Sequence, residues 1–116
     1  MSSRNWSEQR KSNLKYTTKT ASATLTKQEL DHGFIAANHA SSGVTFTLPA
    51  ASTLYKGCLS YIVNKGAAAA KIYVAAGFGG AGGSYDTVTL AQGDGYIVCS
   101  DGSYWYDIGF ATAASS

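Results

Sequence analysis

The sequence predicts a single all-β domain, either a small antiparallel β-sandwich or a jelly-roll-like barrel, preceded by an extended N-terminal arm. Three observations lead there. Thr, Val, Tyr and Ile recur in short alternating stretches, the pattern of strands that bury one face. Clusters of Gly, Asn, Asp and Ser separate those stretches at close intervals, as turns do. The 116 residues include 13 glycines and a single proline, and no long run of strong helix formers, which leaves room for one domain and one core.

Residues 1–20 have neither helical nor strand periodicity, and Trp6, Leu14 and Tyr16 are apolar islands in a polar basic stretch. Such a segment buries too little surface by itself to offset its ordering entropy, so it reads as an arm that needs a partner. Residues 21–27 read as a first strand and residues 28–33 as a turn, with Gly33 free to take positive φ. Residues 33–38 form the next strand. Val44, Phe46 and Leu48 then alternate with Thr45 and Thr47, and Pro49 ends that strand because it lacks an N–H. Residues 57–64 and 70–75 are two further strands, and the glycine-rich residues 77–83 form a loop. Residues 86–91 alternate again, residues 92–95 turn the chain into a strand at 95–100, and Asp101-Gly102 is a two-residue hairpin signal before residues 103–110. The domain thus spans 21–110, and residues 111–116 are a patternless tail.

Charge divides the chain unevenly. Residues 1–20 carry Arg4, Arg10, Lys11, Lys15 and Lys19 against Glu8, a net of +4, while the remainder carries four lysines against six carboxylates, a net of −2. A basic arm on a faintly acidic body points to a separate partner for the arm. Phosphates of nucleic acid would attract it, and so would an acidic protein surface. Nucleic acid is the less favoured partner, because aromatic residues hardly interleave the arm's charges. The sequence has no stretch approaching the ~20 apolar residues of a membrane-spanning helix and no apolar signal-peptide core. The expectation is therefore synthesis in a cytoplasm, no membrane partner, and free thiols at Cys58 and Cys99, paired only if their strands are neighbours.

No cofactor, metal or catalytic constellation emerges. Gly77-Phe78-Gly79-Gly80-Ala81-Gly82 satisfies G-x-G-x-x-G, but a strand-like stretch follows where a dinucleotide site needs a helix N-terminus. His32 and His39, with Asp31 and Glu29, lack metal-ligand spacing and read as turn residues. Asp86, Asp94, Asp101 and Asp107 fall at turns or strand ends, where aspartate serves the local backbone. No nucleophile elbow occurs, so the reading is non-enzymatic. The aromatic residues stand out instead. Tyr104 and Tyr106 share one strand face and Trp105 takes the other. Together with Phe46, Tyr61 and Tyr96 they are expected in the core or at a subunit interface.

Four segments in order resemble a family of bacteriophage capsid decoration, head-fibre and tail-fibre β-domains. They are LTKQELDHGFIAAN from Leu25, GVTFTLPAA from Gly43, GGSYDTVTL ending at Leu90, and QGDGYIVCSDGSYWYDIG from Gln92, covering most of 24–110. The resemblance implies a homotrimeric β-domain of a virion with no catalysis. On that basis the chain is expected to be a capsid decoration (cement) protein on the outer capsid surface. Arg4, Trp6, Arg10, Lys11, Leu14, Lys15, Tyr16 and Lys19 would hold it to the major capsid protein. The alternative is a tail or collar fibre module whose exposed aromatics bind a host receptor or glycan.

Overall fold

The computed structural model describes residues 14–54, 56–79 and 85–107. They form nine strands: β1 (Lys15–Lys19), β2 (Ala23–Thr24), β3 (Gly33–Ala37), β4 (Val44–Thr47), β5 (Cys58–Asn64), β6 (Ala70–Tyr73), β7 (Thr87–Leu90), β8 (Gly95–Ser100) and β9 (Trp105–Asp107). One short helix, Lys27–Leu30, and a 3-10 turn, Ala51–Thr53, interrupt them. The protein is mostly β, as its composition predicts.

The strands make a five-stranded sheet in the order β1-β3-β5-β8-β9 and a four-stranded sheet in the order β2-β4-β6-β7. Their connectivity departs from the antiparallel expectation. β1, β3 and β5 run parallel in one sheet, and β2, β4 and β6 run parallel in the other. The chain alternates between the sheets, so each pair of strands is one rung of a coil and each rung lies in register on the last. Tyr16 sits beside Phe34 and Phe34 beside Tyr61. Ala23, Phe46 and Ile72 line up likewise in the other sheet. A parallel neighbour needs a long return connection, and here a strand of the opposite sheet supplies it. Only β7, β8 and β9 pair antiparallel and close the third rung.

One hydrophobic core lies between the sheets. Phe46, Ile72, Val88 and Leu90 from one meet Ile35, Ile62, Val98 and Trp105 from the other. The inward positions of the five-stranded sheet also include polar residues: Ser60, Asn64 and Ser100 are all buried. Each is satisfied. Asn64 Nδ2 donates to the Ala68 and Leu90 carbonyls at 2.9 and 3.0 Å, and its Oδ1 accepts from Gly66 N–H at 3.0 Å. Ser60 donates to the Leu30 carbonyl, and Ser100 donates to that of Ala51 at 3.2 Å. These bonds tie the connections to the sheet, because an unpartnered buried carbonyl would cost about 1–3 kcal/mol.

Several local expectations need correction. Lys15–Lys19 was assigned by sequence to the arm, yet it is the edge strand β1. Segment 21–27 keeps only Ala23–Thr24 as strand. Thr26 then caps the helix, its hydroxyl accepting from Glu29 N–H while Glu29 Oε1 accepts from Thr26 N–H at 2.9 Å. Positive φ falls on His32, at 58°, rather than on Gly33. Gly33 is required for room: a Cβ there would lie 1.8 Å from the Glu29 carbonyl oxygen. The connection after Ser100 is longer than a two-residue hairpin. Asp101 Oδ1 accepts from both Ser103 and Tyr104 N–H, and Trp105 is the residue opposite Ser100.

Candidate interaction surface

The predicted aromatic residues divide among three places. Phe46, Tyr96 and Trp105 are core, with exposures of 0, 4 and 1%. Trp105 Nε1 donates to the Pro49 carbonyl at 2.7 Å, tying β9 to the residue that ends β4. Tyr104 and Tyr106 are exposed on either side of it, as alternation predicts. Tyr104 lines a cleft of about 190 Å³ with Pro49, Ala50, Ala76 and Ser103 at one end of the molecule. Tyr61 and Tyr106 share the outer face of the five-stranded sheet.

That outer face is distinctive among the described residues. Reading outward positions across it, Tyr16, Phe34, Tyr61 and Ile97 form one row. Leu59, Cys99 and Tyr106 form a second, and Thr18, Ala36, Val63 and Gly95 a third. None carries a charge. The rings of Tyr16 and Phe34 lie 5.6 Å apart and those of Phe34 and Tyr61 6.5 Å apart, a ladder built from three rungs. Lys65 arches over one end, its Nζ 6.0 Å from the centre of the Tyr16 ring and 3.3 Å from its hydroxyl. With Thr18, Lys65 holds the Tyr16 phenol below its ordinary pKa. Phe34, Leu59, Val63, Ile97 and Cys99 were missed as surface residues. The signal was present in residues 57–64, where Leu59, Tyr61 and Val63 make one parity wholly apolar while Cys58 and Ile62 supply apolar residues at the other. Apolar residues at both parities are the pattern of a strand with two apolar faces.

The expected anchoring residues lie in two groups. Arg4, Trp6, Arg10 and Lys11 fall outside the described residues. Leu14 is half-buried, and Lys15, Tyr16 and Lys19 belong to the body. Lys15 donates to the Gln28 carbonyl, and Lys19 pairs with Glu29 at 2.5 Å, so the short helix is pinned to β1.

Of the other chemistry-bearing residues, Asp107 is the most closely held. Its Oδ2 accepts from the hydroxyls of both Tyr85 and Tyr96. Burial alone would raise this carboxyl, but the two tyrosyl donors hold it below the usual carboxylate value. Burial, and then the bond to Asp107, push both phenols up. Phe78 packs edge-on against Tyr96, and Gly79 N–H donates to the Trp105 carbonyl at 2.8 Å, so the start of the glycine-rich loop is fastened to this cluster. His39 Nδ1 accepts from Ser41 and Ser42 N–H, a local turn. Among the described residues no three His, Cys, Asp or Glu side chains gather as metal ligands. Cys58 and Cys99 are free although β5 and β8 are neighbours: Leu59 faces Cys99, so the two thiols point to opposite sides of the sheet. Comparison with family models, with curated proteins and with solved structures finds no match.

Proposed function

We propose that this chain is a virion structural protein, a capsid decoration protein that binds the outer capsid surface of a bacteriophage as a homotrimer and stabilises the shell. The observation that carries the reading is the uncharged, apolar outer face of the five-stranded sheet. Apolar side chains at consecutive outward positions of adjacent strands make a protein-contact surface, with aromatic residues at its centre. The basic N-terminal segment supplies a second contact. Arg4, Arg10 and Lys11 would meet acidic residues of the major capsid protein, and Trp6 would add apolar area. Three linked copies bind with three arms, so modest contacts per arm add up to firm attachment.

The test uses full-length chain and a variant carrying Arg4→Ser, Arg10→Ser and Lys11→Ser, each incubated with undecorated capsids. Binding of the wild type, a higher capsid melting temperature, and loss of both in the variant are expected. If the wild type ignores capsids but adheres to host cells through the aromatic cleft at Tyr104, the chain is instead a fibre module.

A further inference from the structure

We infer that the outer face of the five-stranded sheet is where copies of this chain meet, with Tyr61 at the centre of the contact. The inference rests on the oligomeric part of the reading above, and it fixes which surface is used. β5 is the middle strand of five, and Tyr61 is the middle residue of Cys58–Asn64. Around it lie Phe34, Leu59, Val63 and Ile97 on the same face.

Three arguments select a second copy as the occupant. The first is charge. The outward residues of β3, β5 and β8 are all neutral and Lys65 stands only at the Tyr16 margin, so a charged partner gains little at the centre, whereas another copy presents the same neutral face. The second is area. The five strands hold 26 residues, which at about 3.3 Å per residue and about 4.8 Å between strands give each copy a face of roughly 410 Å². Two such faces bury about 820 Å², the size of a weak, reversible contact. The third concerns the chain's own segments. Residues 1–13 contain Arg4, Glu8, Arg10 and Lys11, and only Met1 and Trp6 are large and apolar, a poor cover for a neutral face of this width. Residues 108–116 offer Ile108 and Phe110 and are otherwise small.

Cys99 gives the contact a built-in reporter. It lies on this face beside Leu59 and Tyr106, whereas Cys58 is buried on the other side of the sheet.

The experiment measures the solution mass of the full chain by light scattering, with Tyr61→Lys, Ile97→Lys and, on the opposite sheet, Thr45→Lys. Circular dichroism confirms that each is folded. The wild type and Thr45→Lys are expected at a multiple of the 12.1 kDa chain mass, and the other two at the single-chain mass. Cys99 should react with a thiol reagent at least tenfold faster in Tyr61→Lys than in the wild type. A wild type that is already monomeric overturns the inference. So does a folded Tyr61→Lys and Ile97→Lys pair that keeps the wild-type mass and Cys99 protection. Capsid binding is scored separately: an oligomer that dissociates on Tyr61→Lys yet never binds capsids sinks the decoration reading and leaves this interface standing.

Discussion

The two sheets of this protein both turn apolar side chains to the core but differ in what they turn outward. The four-stranded sheet follows the usual rule: Val44, Phe46, Ile72, Val88 and Leu90 point inward, while Thr24, Thr45, Thr47, Lys71, Thr87 and Thr89 point out, with Tyr73 as the one aromatic among them. The five-stranded sheet places Ser60, Asn64 and Ser100 inward and Phe34, Leu59, Tyr61, Val63 and Ile97 outward. A threonine-covered face is a solvent face, and its hydroxyls cost nothing in water. The other sheet carries apolar side chains on both faces. The contrast teaches that two sheets around one core can differ in outward chemistry, one matched to water and the other not.

The comparison can be tested from its strongest contrast to its weakest. Trp105→Ala removes the largest inward side chain of the five-stranded sheet and its bond to Pro49. It should cost about 3–5 kcal/mol in urea unfolding. Tyr106→Ala, one residue away and outward, should leave monomer stability within ~0.5 kcal/mol. A comparable loss in both would mean that the inward and outward layers are not distinct.

Asn64→Ala removes a donor from two carbonyls and one of the two acceptors of Gly66 N–H, and a loss of ~2–4 kcal/mol is expected from the same unfolding curves. That would show the polar inward positions to be structural ties. A change below ~1 kcal/mol would show that water replaces the amide at little cost.

Giving one face the chemistry of the other comes next. Leu59→Thr with Ile97→Thr should abolish self-association and lower binding of an apolar dye, with the fold retained. Persistence of the oligomer would place the contact elsewhere.

Acid acts on Asp107. Its folded carboxyl titrates below the unfolded one, so the stability it contributes is present above the ordinary aspartate pKa, about 3.9. That contribution is lost as pH falls through the lower folded value. The stability gap between wild type and Asp107→Asn should therefore be widest near neutrality and shrink below pH ~4. A gap that grows on acidification would reverse the assignment. The smallest effect is expected for Thr89→Val on the solvent face, within ~0.5 kcal/mol of wild type in thermal melts.

Much of this molecule is legible in its sequence. The alternation in residues 44–48 and 87–90 and the turn leading into residues 95–100 mark strands that the structure contains, and the parity of Tyr104, Trp105 and Tyr106 gives their exposure. Parallel coiling is not legible, because alternation has period two whichever way the neighbouring strand runs. The only trace is the outward aromatic at 16, 34 and 61, and unequal spacing hides it. The helix at Lys27–Leu30 was legible in Thr26-Lys27-Gln28-Glu29, a capping box read as a turn because the helix is a single turn long. β1 was hidden for a different reason. Lys15, Thr17, Thr18 and Lys19 surround its single apolar residue, so strand and arm look alike. Lysines at both ends are also a known guard on an edge strand.

The coil has one further consequence, for how such a protein changes length. Among the described residues the first rung, β1 with β2, stands at one margin of both sheets, and β9 and β7, antiparallel to their neighbours, stand at the other. A new pair of strands ahead of Lys15 would stack on an existing template and leave every residue downstream in its present register. Each such addition would lengthen the aromatic ladder by one step. The parallel coil is thus extensible in whole units at its first rung, with the core below it unchanged.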